Sequence, residues 1–231
     1  MINVLLYNDT TNQMERYPLD LSDPMPYITG RTLTVREFRS RSASNLIWTD
    51  RRTMLAWNRT REAWGQPIYV GFAFRRIGEG GHADQSQHYA GTAFDVGQNL
   101  SVAQRNDLRR VAAEIGVWSY VEPGHLTPTW VHFDNRLSPP ACAAGYPALQ
   151  QGDRGVYVCT LQDALITAGI PGVGVDGVFG PLTRQAVVTF QSENGLSTDG
   201  TVGCATWTQL TKMTNGYFRT IGDIPPQYRL E

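Results

Sequence analysis

The chain has 231 residues, a formal charge of −1 and 41% hydrophobic residues, enough length for one large domain or two small ones, each with a core. That charge balance excludes nucleic-acid binding through bulk positive charge. No apolar run approaches the roughly 20 residues of a membrane-spanning helix.

The first residues, Met1-Ile2-Asn3-Val4-Leu5-Leu6-Tyr7, lack the basic start, long apolar stretch and small-residue cleavage site of an export signal. The expectation is a removed leader or another route out of the cell, such as lysis. Nearly every basic residue is Arg, with Lys212 the single Lys, and seven arginines fall between Arg36 and Arg61. They are read as a solvated helix face, with attraction to an acidic polymer as the alternative. Residues 50–64 predict a helix capped by Thr49 or Asp50, with Met54, Leu55 and Trp57 as apolar contacts and Gly65 as its stop. Residues 68–74 predict a strand that delivers Arg75 and Arg76 to its end, and 78–86 a loop that is mobile by composition. Ser101 with Gln104 makes a capping box for a second helix, whose apolar stripe is Leu108, Val111, Ala112 and Ile115 and whose stop is Gly116. A strand over 117–122 and the turn Pro123-Gly124 follow.

Two segments offer metal-binding chemistry. In a strand over 92–97, Phe94 and Val96 point to one face and Ala93, Asp95 and Gly97 to the other. In a strand over 130–134, Val131 and Phe133 share a face, with Trp130, His132 and Asp134 opposite. Paired antiparallel, the two strands bring Asp95 and His132 together, with His88 on the preceding loop. Imidazole and carboxylate are ligands that a catalytic zinc accepts, and three of them leave a fourth position open for water.

The run Ser86-Gln87-His88-x-x-Gly91-x-Ala93-x-Asp95, followed by Val131-His132-x-Asp134, resembles the zinc D-Ala-D-Ala carboxypeptidases and L-alanyl-D-glutamate peptidases that cut peptidoglycan stem peptides. Gln66-Pro67-Ile68-x-Val70 with Arg75 and Arg76, and the entry motif Leu33-Thr34-Val35-Arg36-Glu37-Phe38, extend the resemblance over about residues 30–135. It implies an α+β domain over 1–138 with a small antiparallel sheet flanked by helices, and one zinc held by His88, Asp95 and His132. Arg75 is then the group that holds an oxyanion or a substrate carboxylate, with Arg76 as fallback. Many relatives carry Glu or Asp where this chain has Thr129, which cannot act as a base at pH 7. Glu122 is the nearest upstream carboxylate and takes that role in this reading. His82 and His125 are transition-state candidates or loop histidines, and Asp134 is a candidate to orient His132 from behind.

Residues 139–147 are a Pro/Gly-rich linker. Beyond it an Asp-Gly-x-x-Gly turn occurs at 176–180 and again at 199–203, each just before a helix with Thr in its first turn. Residues 148–211 are therefore three short helices joined by glycine-dependent loops, and closely resemble the three-helix peptidoglycan-binding domain found beside wall hydrolases. Residues 212–231 form a tail without a motif that packs on either domain or trails. Cys142, Cys159 and Cys204 have no zinc-like spacing; one bridge plus one free thiol and three reduced cysteines are both allowed.

Together the resemblances imply an endolysin-like, monomeric zinc peptidase located outside the cytoplasm or at the wall, with peptidoglycan as its partner. The alternatives are a wall-binding protein with a degenerate peptidase domain, favoured by Thr129, and use of the metal site on another peptide or in signalling, as in hedgehog-type relatives.

Overall fold

The computed structural model describes residues 1–142, 145–218 and 220–229. Positions 143 and 144 of the expected linker, and 219, 230 and 231 of the tail, lie outside the described residues. The architecture is mixed α/β, with two small sheets and seven α-helices among the described residues. None of those helices is long and apolar enough to cross a membrane.

The chain opens with a hairpin that sequence reading did not anticipate. Strands β1 (Ile2–Asn8) and β2 (Gln13–Leu19) pair antiparallel, and β3 (Leu46–Asp50) runs parallel to β1 on its other side. Ile2, Val4 and Leu6 alternate into the core at full burial, the period-2 signature of a strand. Between β2 and β3 lies the short helix α1 (Val35–Arg39), begun by a Thr34–Glu37 capping box. Helix α2 (Arg51–Trp64) starts where Asp50 accepts a bond from the Thr53 amide and stops at Gly65 in the left-handed region.

The second sheet carries the chemistry. Its order is β4 (Val70–Phe72), β5 (Ala93–Val96), β7 (Val131–Asp134) and β6 (Tyr120–Val121), all antiparallel. Phe94, Val96, Val131 and Phe133 are fully buried, and Phe94 packs against Trp57, Trp118 and Phe133. The opposite face carries Asp95, His132 and Asp134. Helix α4 (Val102–Glu114), begun by the Ser101–Gln104 capping box, buries Leu108 and Ala112 together with Arg105 and Arg109. Those guanidinium groups donate to the carbonyls of Leu100, Thr127, Pro128 and Trp130, so α4 also fixes the loop that leads into β7.

The C-terminal part consists of α5 (Val156–Thr167), α6 (Pro181–Glu193) and α7 (Cys204–Thr214). The repeated Asp-Gly-x-x-Gly turns have a shared physical basis. The Gln162 side chain donates to Asp176 and Thr183 and accepts from the amides of Asp176 and Gly177. Gln191 does the same with Asp199, Thr206 and the Gly200 amide. Both glutamines are buried, and each satisfies turn groups that would otherwise be buried without partners.

The two parts are joined along a shared hydrophobic core. Tyr146, in the expected linker, is fully buried and donates to the Ser86 carbonyl at 2.6 Å. A single disulfide joins Cys142 to Cys204, and Cys159 is free and buried. The described part of the tail lies back on the first part: Asn45 donates to the Tyr228 carbonyl, and Ser44 bridges to Arg229.

Candidate metal centre

His88 lies on a one-turn helix, α3 (Gln87–Ala90), which Ser86 caps and Gly91 ends at φ 69°. Only glycine fits at 91: besides the left-handed backbone, a Cβ there would lie 1.9 Å from the Trp48 carbonyl oxygen. Trp48 and Thr49 of β3 donate to the carbonyls of Tyr89 and Gly91 at 2.9 and 2.8 Å. The first sheet thus sets the turn that aims His88 at β5.

Asp95 and His132 face each other across the β5–β7 ladder as direct register partners. His132 Nδ1 lies 2.7 Å from Asp95 Oδ1, and His88 Nε2 lies 3.3 Å from Asp95 Oδ2. The other nitrogen of each ring is held from behind. His88 Nδ1 is 2.7 Å from the Ala73 carbonyl and His132 Nε2 is 3.0 Å from Asp134 Oδ2. A carbonyl only accepts, so His88 Nδ1 carries the proton, and in the neutral ring Nε2 presents a lone pair to a carboxylate. Two acceptors at that distance call for a shared cation or proton between them. Asp134 is fully buried and is gripped by Arg136 through Nε at 2.8 Å and Nη2 at 2.5 Å. Arg136 stacks on the Tyr120 ring at 4.1 Å.

His82 joins this group. Its ring stacks on His88 with centroids 4.1 Å apart, and the candidate ligand atoms of His82, His88 and Asp95 lie within 4.8 Å of one another. His82 Nε2 is buried without a hydrogen-bond partner, an unusual condition for a polar atom. Ligand atoms around a tetrahedral zinc are roughly 3.3 Å apart given bond lengths near 2 Å, so this constellation fits a small cation after slight adjustment. The donor set, imidazole with carboxylate, is one that zinc accepts.

Electrostatics follow the geometry. Burial would pull the His132 ring down, but hydrogen bonds to Asp134 and Asp95 outweigh it and raise its pKa to about 9. Burial would raise Asp95, yet the bonds from His132 and His88 hold its carboxyl well below the usual range. Burial, reinforced by repulsion from His88, lowers His82 to about 3 and keeps it neutral.

The remaining predicted residues divide. Arg75 is half-buried beside the cluster, its guanidinium 5.6 Å from the Phe72 ring, and its Nε is buried without a partner. Glu122 continues the β6–β7 ladder, its amide donating to the His132 carbonyl at 2.9 Å. Opposite residues of an antiparallel pair share a face, so Glu122 is on the His132 side. His125 is exposed in the turn between β6 and β7, and Thr129 is exposed ahead of β7.

Three expectations are corrected. The strand expected over 68–74 pairs only over Val70–Phe72, with an irregular register against β5. Arg76 does not reach the cluster's face. It is fully buried, pairs with the fully buried Asp163 of α5 through Nε at 2.8 Å and through Nη2, and lies over the Tyr228 ring; it belongs to the junction between the two parts. The loop 78–86 is not loose either. Its residues are tied to Tyr89, Asn215 and the Phe218 amide, and Ile77 just before it is tied to Asp163 and the Gly216 amide. Sequence reading missed Asp163, Asn215 and Arg136. Asn215-Gly216 reads only as a turn after a helix, with no mark of what it contacts.

Comparison with known proteins places the C-terminal part. Residues 154–210 match the family described as "Putative peptidoglycan binding domain". An uncharacterized protein from the bpoA1 3' region of Kitasatospora aureofaciens is 44% identical over 78 residues, which is 32% of this chain and 66% of that protein. A zinc D-Ala-D-Ala carboxypeptidase of Streptomyces albus G is 40% identical over 76 residues, 31% of this chain and 29% of that protein. The chain therefore spans 66% and 29% of the lengths of these two relatives. Among solved structures, a Clostridioides difficile peptidoglycan-binding protein in complex with glutamine hydroxamate is 41% identical over 29% of this chain and 42% of its own, at TM-score 0.29. The SleB N-terminal domain is 40% identical over 29% of this chain and 93% of its own, also at TM-score 0.29.

Proposed function

We propose that the chain is a zinc-dependent peptidoglycan peptidase that hydrolyses an amide bond of the stem peptide, of the D-Ala-D-Ala carboxypeptidase or internal endopeptidase type. In this reading it works as a monomer outside the cytoplasm or at the wall, to which its helical part holds it. The observation that carries the reading is the convergence of His88 Nε2 and His132 Nδ1 on the Asp95 carboxylate, at 3.3 and 2.7 Å and nearly buried. It stands in a chain whose C-terminal part matches a peptidoglycan-binding family.

His88, Asp95 and His132 would hold one zinc per chain, with Asp134 fixing the His132 ring so that Nδ1 faces inward. When bound, zinc polarises the scissile carbonyl and brings the pKa of its water toward neutrality. The protein's own groups then handle charge and protons. Glu122 accepts a proton from the attacking water and returns it to the leaving amine. Arg75, with an unpartnered guanidinium nitrogen on this side, meets the oxyanion or a substrate carboxylate in bidentate fashion.

Incubating the purified chain with a synthetic stem pentapeptide, with and without a zinc chelator, tests the reading. Cleavage that stops with chelator and returns with added zinc is expected. Binding to sacculi with no cleavage of any stem peptide, even with zinc supplied, would leave a wall-binding protein with a degenerate site.

A further inference from the structure

The loop that carries His82 is held by the helical part of the chain at both ends. At its entrance, Asp163 of α5 pairs with Arg76 and accepts a bond from the Ile77 amide at 3.2 Å. At its exit stands Asn215, the residue that ends α7. The Asn215 side chain makes three bonds there: Nδ2 donates to the His82 carbonyl at 3.0 Å and to Asp84 Oδ1 at 2.8 Å, and Oδ1 accepts from the Tyr89 hydroxyl at 2.7 Å. The same hydroxyl accepts from the His82 amide at 3.1 Å. Both backbone groups of His82 are thus gripped by atoms that meet at Asn215.

The backbone of 216–218 completes the hold. Gly216 and Phe218 donate to the carbonyls of Ile77 and Gly78 at 3.0 and 2.7 Å. The approach is so close that a Cβ at Gly80 would lie 2.6 Å from the Gly216 Cα. Yet the ring of His82, whose backbone is so fully committed, leaves Nε2 buried, unpartnered and beside the ligand atoms of His88 and Asp95.

We propose that Asn215 is a positioning residue for the metal centre. Through the His82 backbone and Tyr89 it holds the His82 imidazole stacked against the His88 ring and beside Asp95, so the helical part builds the site as well as anchoring it. This rests on the reading of the cluster as a metal centre. Loss of an outer partner of a metal site typically costs 10–100-fold in affinity, and that is the effect expected of removing Asn215.

The test is competitive zinc titration of the full chain against a chromophoric chelator, for wild type, Asn215→Ala, His82→Ala and the double variant. Gln209→Ala, on the same helix but bonded to Asn194, serves as control. Imidazole nitrogen resonances are followed by NMR in parallel. The expected result is an affinity loss of about tenfold or more in Asn215→Ala, no loss in Gln209→Ala, no further loss when Asn215→Ala is added to His82→Ala, and a zinc-induced shift of His82 Nε2 in wild type. If Asn215→Ala does not fold, Asn215→Asp keeps the size and the acceptor for Tyr89 while turning an acceptor toward the His82 carbonyl and Asp84, and is expected to show the same loss. Wild-type affinity in the Asn215 variant, or an equal loss with and without His82, would overturn the positioning role and leave the metal centre standing. A wild-type chain that takes up no zinc would remove the metal centre itself, and this proposal with it.

Discussion

Two kinds of support meet at the candidate centre. Asp95 and His132 ride on paired strands, and their directions follow from apolar neighbours: Phe94, Val96, Val131 and Phe133 go into the core, so the residues between them face out on the other side. A one-residue slip would send both donors into the core and four hydrophobes into water. His82 has no such ladder. Its place is set by Asp163 and Asn215, from a part of the chain 80 and more positions further on. Donors on strands are fixed by local alternation, whereas the loop histidine beside them is fixed by long-range hydrogen bonds, and the two should respond differently to substitution.

The sharpest contrast comes from the strand side. Asp95→Ala removes the group that both His88 and His132 face, so the purified variant should carry almost no zinc, an affinity loss beyond the roughly hundredfold typical of outer partners, while its circular dichroism stays native. Zinc content at the wild-type level, measured by elemental analysis, would take Asp95 out of the ligand set. Glu122→Gln keeps size and ladder but removes the base. Turnover on a stem peptide should fall about 10²–10⁴-fold, the usual share of general acid–base catalysis, with zinc content unchanged; full turnover would sink the assignment.

On the long-range side, Asp163→Ala leaves Arg76 charged and fully buried without its partner. Breaking a buried pair in this way costs about 3–5 kcal/mol, to be read from urea unfolding midpoints at constant slope. A change below about 1 kcal/mol, the range of exposed pairs, would mean that the junction opens to water in solution. The smallest effect is expected behind His132. Asp134→Asn keeps a hydrogen bond to Nε2 but loses the charge that Arg136 and His132 share. Zinc affinity should drop by about 10–100-fold in the same chelator titration, and an unchanged affinity would show that His132 needs no orienting carboxylate.

How much was legible in the sequence follows the same division. Strands β5 and β7, the capped starts of α2 and α4, and the Gly-dependent turns of the helical part all leave short-range signals: alternation, Asp50 and Ser101 as caps, and the two Asp-Gly-x-x-Gly turns. The His88–Asp95–His132 grouping was readable because Asp95 and His132 sit at alternating positions of two strands and His88 precedes them on a short Ser-capped turn. Arg76 misled, because a strand-end arginine beside a motif says nothing of a buried aspartate 87 residues away. The 78–86 loop looked mobile because its glycines were read as freedom, when at Gly80 the absent side chain admits a second backbone. The first sheet went unread although Ile2, Val4 and Leu6 alternate in plain view.

The most direct measurement is mass spectrometry of the soluble products from purified sacculi incubated with the protein, with and without a zinc chelator. The account predicts a defined stem-peptide fragment that vanishes with chelator and returns with zinc, and its mass identifies the bond. Sacculi that retain the protein but release nothing under any metal condition would contradict it.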